Sequence, residues 1–240
     1  MRKILIIVLC LNFLYSPISK SEELLSNIIV LIDFSTSYFK PEKKQKLEKT
    51  LSKVNKVILK AVDILPLNMA IEFIPIREES ITSDVICGVE FAGRNIAGKQ
   101  VGLDGISKKK ELKMFLNDCT NLILKQTEGK ATDLTGAIRK AVLMSSSQLS
   151  KGELRTVIIL SDFIEERGAS FKDESLLSLN DFSFALIYPG ALELSNNQEV
   201  TEVKNQAENL KSNLLKQGAK NVNLYLEDAR FHKLIPNDMF

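Results

Sequence analysis

Residues 28–37 read IIVLIDFSTS and give the strongest indication of the fold. It begins with five branched apolar residues in succession, with no polar alternation. Such a run is typical of a parallel strand covered on both faces, because both rows of its side chains are then buried. The stretch therefore predicts a central strand whose carboxyl end runs directly into Asp33, Ser35 and Ser37.

Outward from this strand, short apolar runs alternate with longer segments that carry an apolar stripe at helical spacing. Pro41 opens the first such helix, whose stripe recurs at steps of three and four to Leu65 and stops at Pro66. Further strands are predicted at residues 69–76, 86–91, 156–160, 182–188 and 222–226, and further helices at 108–125, 133–144 and 200–214.

The predicted order is β-α-β-β-α-α-β-α-β-α-β, which indicates one α/β domain over residues 22–240 with a doubly wound, mostly parallel sheet flanked by helices. Only a short polar segment separates the strands at 69–76 and 86–91, so we expect them to be antiparallel neighbours at one edge. Gly88 suggests a bulge in the second of these strands, and residues 92–105 are expected to form an exposed loop.

The amino terminus has the order of a signal peptide. Arg2 and Lys3 precede an apolar run that ends at Ser16 and Pro17, and the run is shorter than the roughly 20 residues of a membrane-spanning helix. We expect cleavage after Ser21 and a mature protein outside the cytoplasm, either periplasmic or secreted. An uncleaved amino-terminal membrane anchor is the alternative.

Composition narrows the classes of function. The chain has 240 residues, with 32 Lys and Arg against 30 Asp and Glu. A formal net charge of +2 provides no strong field for capturing nucleic acid, so nucleic-acid binding is not expected. His232 is the only histidine, which argues against a Ser-His-Asp triad and a zinc site.

Cys87 and Cys119 are the cysteines left once the amino-terminal segment is removed. An even pair in an oxidising compartment favours a disulfide. Two buried, reduced cysteines that pack as small hydrophobes would leave the same sequence. Both interpretations stay open on the sequence alone.

Oxygen-bearing side chains follow both of the most apolar strands. The strand at 28–32 runs into Asp33, and the strand at 156–160 runs into Ser161 and Asp162. Parallel strands of a doubly wound sheet bind ligands at their carboxyl ends, so we expect both loops to open on one edge. Alternate residues of an extended segment point the same way, which lets Asp33, Ser35 and Ser37 converge on one hard cation.

This pattern resembles the metal ion-dependent adhesion site of von Willebrand factor A-type domains, whose first part is Asp-x-Ser-x-Ser after a hydrophobic strand. That family adds a Thr from a loop before a helix, and Thr132 in residues 130–138 (KATDLTGAI) matches it. The family also adds an Asp, commonly within Leu-Thr-Asp-Gly, and Asp162 in residues 160–163 (LSDF) matches it. Phe163 replaces the usual glycine, which is a departure in that loop.

The resemblance implies a role for each matched residue. Ser35, Ser37 and Thr132 would be direct oxygen ligands, and Asp33 and Asp162 would bind directly or through water. The implied cation is Mg²⁺, with Mn²⁺ and Ca²⁺ as alternatives. It would engage a carboxylate on a partner protein, in a domain that acts in adhesion or protein–protein interaction and not as an enzyme.

Three alternatives compete with this interpretation. Asp33 and Ser37 would also serve as caps of the following helix, Thr132 as the cap of a helix from Asp133, and Asp162 as an ordinary turn residue. The same fold without a metal would be a structural scaffold of an envelope assembly. A haloacid dehalogenase-type phosphohydrolase fits poorly, because it needs a second Asp where Ser35 stands.

Overall fold

A computed structural model describes residues 24–36, 39, 44–61, 69–91, 94–96, 99–101, 105–164, 178–188 and 197–225. In chain order the elements are β1 (Leu24–Asp33), α1 (Lys44–Ala61), β2 (Met69–Ile76), β3 (Cys87–Phe91), β4 (Arg94–Ile96), β5 (Lys99–Val101), α2 (Gly105–Leu124), α3 (Leu134–Gln148), β6 (Leu149–Leu160), β7 (Phe182–Ile187), α4 (Asn197–Lys216) and β8 (Asn221–Tyr225).

Six of the strands form one sheet in the order β3-β2-β1-β6-β7-β8. Strand pairs β2–β1, β1–β6, β6–β7 and β7–β8 are parallel, whereas β3 is antiparallel to β2 at the edge. Helices flank this sheet, with α3 against β1, β2 and β6 and α4 against β8. The predicted class, a mostly parallel α/β sheet with one antiparallel edge strand, is confirmed.

The core lies along β1 and β6, which occupy the middle of the sheet. All residues from Ile28 to Ile32 and from Val157 to Leu160 are buried. Burial of consecutive residues requires cover on both faces of a strand, which explains why these runs lack polar alternation. The two apolar runs therefore make the two central strands.

Several predicted elements have different bounds. The first helix covers Lys44–Ala61 of the described residues, and the predicted ends at Pro41 and Leu65 lie outside them. β6 begins at Leu149, seven residues before the predicted start at 156. The strand at 86–91 begins at Cys87, and the helix predicted at 133–144 covers Leu134–Gln148.

Two local predictions were wrong. Gly88 lies in uninterrupted register opposite Glu72, so it forms no bulge; its neighbours pair regularly on both sides. The predicted loop at 92–105 contains β4 and β5, which pair with each other as a two-stranded antiparallel sheet. Strands of three residues carry too short an alternation to stand out from a polar loop.

Cys87 of β3 and Cys119 of α2 form a disulfide with a Cα–Cα distance of 5.9 Å. The bond ties the antiparallel edge strand to a flanking helix. The structure therefore contains the disulfide, which is one of the two states that the sequence leaves open.

Some predictions fall outside the described residues: the signal peptide at 1–21, Ser37, the helix between β6 and β7, and His232. Among the described helices, none is long and apolar enough to cross a membrane.

Candidate metal centre

The candidate site lies where the winding of the sheet reverses. From β1 the chain proceeds to β2 on one side, and from β6 it proceeds to β7 and β8 on the other. Loops at such a reversal diverge and leave a crevice at the carboxyl ends of the strands. Because Ile32 is in register with Leu160, Asp33 is level with Ser161, and Asp162 lies one residue further out.

Asp33 is fully buried at the end of β1. Its Oδ1 accepts a hydrogen bond from the backbone N–H of Ser35 at 2.8 Å, and its Oδ2 accepts one from the hydroxyl of Ser161 at 2.6 Å. The Ser35 hydroxyl also bonds to this carboxylate. Ser35, just after β1, and Ser161, just after β6, therefore meet at Asp33.

Burial, and secondly the negative charge of Asp162, raise the pKa of Asp33 to about 7, while the hydrogen bonds from Ser161 and Ser35 oppose the rise. A carboxyl group with a pKa this high in a crevice is a candidate for function, because its charge is costly unless a cation or proton offsets it. Asp33 and Asp162 thus form one electrostatic unit.

The loop after β6 has an unusual backbone. Asp162 accepts the N–H of Ile164 at 3.1 Å, and Phe163 between them has a φ of 63°. Phe163 N–H donates to the Ser161 hydroxyl at 2.9 Å, and the Phe163 ring is buried. Phe163 therefore adopts the left-handed conformation that glycine adopts without strain, at the position where the resembled family has glycine.

Thr132 lies in a segment anchored beside the end of β1. The N–H of Gly129 donates to the Phe34 carbonyl at 2.7 Å, and Ser35 and Gly129 form a parallel β-bridge. Thr132 follows three residues later and is fully buried. The segment of residues 129–133, which we call the Thr132 segment, thus joins the same edge of the sheet.

The helix cap in this segment is Asp133 and not Thr132. Oδ1 of Asp133 accepts the N–H of Gly136 at 2.8 Å, in front of a helix that begins at Leu134. A Cβ on residue 136 would overlap the Asp133 carboxylate, so glycine is required for this approach. The alternative in which Thr132 caps this helix was therefore wrong, because the cap is the next residue, Asp133.

The structure brings Asp33, Ser35 and Asp162 together and anchors the segment of Thr132 next to them, while Ser37 lies outside the described residues. Sequence reasoning gave Ser161 no role, although it bonds to Asp33 across 128 positions of the chain. Its place directly before Asp162 was the available signal. Asp133 was similarly considered only as the start of a helix, although Asp133-x-x-Gly136 matches a helix cap.

The side chains at this edge suit a hard cation, because carboxylate and hydroxyl oxygens are the donors that Mg²⁺ and Mn²⁺ prefer. Within the described ranges, no three Asp, Glu, His or Cys side chains cluster as a metal site. A cation here would thus depend on hydroxyls besides the two carboxylates. The buried, like-charged pair Asp33 and Asp162 fits such a cation, whose charge would offset their repulsion.

Comparison with known proteins yields matches of fold only. No family model and no curated protein matches the chain. Solved structures that resemble it include a von Willebrand factor type A protein from Catenulispora acidiphila, with 10% identity and a TM-score of 0.45 over 88% of this chain and 41% of that one. The conserved hypothetical protein BatB from Bacteroides thetaiotaomicron has 15% identity and a TM-score of 0.45 over 89% and 96%. Manganese-loaded TRAP protein of Plasmodium vivax has 16% identity and a TM-score of 0.37 over 76% and 62%.

Proposed function

We propose that this protein is an exported, non-catalytic domain that holds a divalent cation and uses it to bind an acidic group on a partner protein. The ligands in this proposal are Asp33, Ser35, Ser37, Thr132 and Asp162. The observation that carries it is the buried Asp33 carboxylate beside the charge of Asp162, at the carboxyl edge of the two central strands.

Electrostatics favours a bound cation at this site. Two carboxylates in one buried site repel each other, so ionisation of both at neutral pH is costly without a compensating charge. Burial and the Asp162 charge already raise the pKa of Asp33 to about 7, so a proton competes for this carboxylate near neutral pH. A divalent cation is a stronger compensation than one proton, and oxygen donors favour Mg²⁺, with Mn²⁺ and Ca²⁺ as alternatives.

Each side chain has a separate part in holding a cation. Asp33 and Asp162 supply the negative charge, whereas Ser35, Ser37 and Thr132 supply neutral oxygens. Two carboxylates at most neutralise a divalent ion, and hydroxyls add no charge. If each of the five side chains supplies one oxygen, a cation that takes about six keeps one coordination position, which a carboxylate of the partner would fill.

Export is supported by the sequence of the amino terminus and by the disulfide. Structural disulfides persist mainly outside the reducing cytoplasm, and Cys87 is bonded to Cys119. We therefore assign the protein to the periplasm or the secreted fraction, with a membrane link only through an uncleaved amino-terminal segment.

A non-catalytic role is supported by the side chains at the site. Ser35 stands where a dehalogenase-type enzyme needs an acid/base carboxyl, and a serine hydroxyl has no pKa near neutrality. The chain has one histidine, His232, which leaves a Ser-His-Asp triad a single candidate base.

Calorimetric titration of the mature protein with Mn²⁺ tests the cation site. Asp33→Asn preserves the shape of the side chain and removes its charge, so we expect Mn²⁺ affinity to fall by at least about 100-fold. Asp118→Asn is the matched control, since it removes the same charge from an exposed position of α2 and should change affinity less than about twofold. Equal affinities of wild type and Asp33→Asn would refute the site.

A metal-independent scaffold is the second candidate. Both oxygens of Asp33 and one oxygen of Asp162 already accept hydrogen bonds within the chain, so the edge is ordered without a cation. Recovery of partners from the native envelope, with and without EDTA, separates the two. Loss of partners in EDTA supports the cation, and unchanged recovery supports the scaffold.

A further inference from the structure

The turn between β2 and β3, residues Arg77 to Ser80, lies against the Thr132 segment. Three hydrogen bonds join them: Asp133 N–H to the Arg77 carbonyl at 2.9 Å, Ser80 N–H to Oδ2 of Asp133 at 2.9 Å, and Lys130 N–H to Oε2 of Glu78 at 3.1 Å. Thr132 lies between two of the bonded residues. The turn therefore holds the segment on both sides of that threonine.

The Arg77 side chain makes further contacts, with the residues before the Thr132 segment and with Phe34 just after β1. Its Nη2 donates to Oε1 of Gln126 at 2.9 Å and to the Thr127 carbonyl at 3.4 Å, just before the Thr132 segment. Its guanidinium lies 5.2 Å from the centroid of the Phe34 ring, and Phe34 directly follows Asp33. Arg77 thus contacts Phe34, in residues 33–36 that we call the Asp33 loop, and also the residues just before the Thr132 segment.

Ser80 makes the turn rigid from within. It is fully buried, its hydroxyl accepts the Arg77 N–H at 2.9 Å, and the same hydroxyl donates to the Arg77 carbonyl at 2.9 Å. That carbonyl is also the acceptor for Asp133 N–H. The hydroxyl of Ser80 therefore orients the group that holds the backbone next to Thr132.

We propose that the turn of residues 77–80 holds the Thr132 segment in place against the Asp33 loop, and that Arg77 and Ser80 thereby position Thr132 as a cation ligand. The second half of this inference rests on the proposed cation site. Asp133 connects α3 to the turn, since its Oδ1 caps the helix and its Oδ2 accepts the Ser80 N–H. Partners of metal ligands that lie one contact further out commonly change metal affinity by about 10- to 100-fold when they are removed.

For a variant that removes the Arg77 charge, a positioning role and a purely electrostatic role predict opposite changes in Mn²⁺ affinity. Arg77 is a cation beside the Asp33 loop, so its charge alone opposes a bound metal ion, and Arg77→Met would then tighten Mn²⁺ binding. Positioning predicts that the same variant weakens Mn²⁺ binding by about tenfold. Methionine keeps an apolar stem over Phe34 and removes the donors to Gln126 and Thr127.

The experiment titrates Mn²⁺ into wild type, Arg77→Met, Ser80→Ala and the control Lys110→Met, at a temperature where thermal unfolding shows all four to be folded. Lys110→Met removes the same charge from an exposed position of α2. We expect about tenfold weaker binding in Arg77→Met and Ser80→Ala and no change beyond about twofold in Lys110→Met. Unchanged or tighter binding in Arg77→Met overturns the positioning role.

Amide hydrogen exchange without metal tests the first half of the inference independently. In Ser80→Ala we expect exchange at Lys130 and Asp133 to accelerate by about tenfold, with Ile158 in the central strand unchanged as the reference amide. Unchanged exchange at Asp133 overturns the holding role. If wild type fails to bind Mn²⁺, the cation site is refuted, and exchange still decides whether the turn holds the Thr132 segment.

Discussion

The ends of β1 and β6 have the same local structure, but the aspartate at the end of β1 is more deeply buried than the one after β6. Each strand leads to an aspartate whose Oδ1 accepts the N–H two residues later, from Ser35 at 2.8 Å and from Ile164 at 3.1 Å. Asp33 is 0% exposed and Asp162 is 6% exposed, and the pKa of Asp33 is raised to about 7 by burial and by the Asp162 charge.

The difference follows from the register of the two strands. Asp33 is the last residue of β1 and pairs with Ile76 of β2, and on its other side Ser161, directly after β6, donates a hydrogen bond to its carboxylate. β6 ends at Leu160, which places Asp162 beyond the last paired residue. One position along a strand therefore separates a carboxylate inside the sheet from one at its rim.

The largest expected effect of this difference is on stability against pH without metal. Asp33 would ionise near 3.8 in the unfolded chain and near 7 in the folded protein, so the folded state keeps the proton across that interval. Its contribution to the free energy of unfolding should thus fall by on the order of 4 kcal/mol between pH 4 and 7 and stay constant above. Urea unfolding of wild type and Asp33→Asn measures this difference at each pH.

Asp162→Asn sharpens the same measurement. It removes the neighbouring charge and leaves the burial of Asp33, so the decline relative to Asp33→Asn should persist and end at a lower pH. A wild-type protein that matches Asp33→Asn at every pH would contradict the buried, raised carboxyl group.

Mn²⁺ affinity should depend on the protonation of Asp33, because a proton and a cation compete for its carboxylate. We expect affinity to rise by about tenfold per pH unit from pH 5 to 7 and to level off above 7. In Asp162→Asn the plateau should begin at a lower pH, at weaker affinity. Calorimetry over this pH series measures both, and a pH-independent affinity would exclude Asp33 from the site.

Ser161→Ala should have a smaller effect, since it removes one contact between the two strand ends. Its hydroxyl donates to Asp33 and accepts the Phe163 N–H, so we expect a loss of about 1–3 kcal/mol in the free energy of unfolding. The pKa of Asp33 should also rise above 7, because the hydrogen bond from Ser161 lowers it. Ser146→Ala on the exposed side of α3 is the control, expected within about 0.5 kcal/mol.

The smallest effect compares the residues that follow the two aspartates. Phe163 has a φ of 63°, so Phe163→Gly should be more stable than Phe163→Ala by about 1 kcal/mol, although both lose the buried ring. Among the described non-glycine residues only Phe163 has a positive φ, so at Phe34 the order should reverse, with alanine the more stable. Thermal unfolding of the four variants measures both orders, and the same order at both positions would contradict the argument.

Local pattern was sufficient for most of the fold. The strand at 28–32 and the strand at 156–160 were recognisable because burial on both faces leaves an unbroken apolar run, and α1 because one buried face repeats at helical spacing. β4 and β5 were missed because three residues show no period. The bulge predicted at Gly88 was wrong because glycine, which has no side chain, is compatible with both a bulge and a regular edge strand.

In the candidate site, too, local pattern identified some residues and long-range contacts were needed for others. Asp33, Ser35 and Asp162 could be placed at one edge from the sequence because each lies within a few residues of the end of a predicted strand, and the carboxyl ends of parallel strands meet at one edge. The roles of Ser161, Asp133 and the turn at 77–80 were not found, since each depends on a hydrogen bond to a residue at least 50 positions away, apart from the local cap of Asp133.

Local sequence pattern specified most of the strands and helices and the polar residues that follow the central strands, because those properties depend on neighbours within a few residues. Long-range contacts were needed to establish that Cys87 bonds to Cys119, that Asp33 is buried beside Asp162 with a raised pKa, and that the turn at 77–80 holds the Thr132 segment. Desolvation and charge interactions act through space, so they exist only once the sheet has brought distant parts of the chain together.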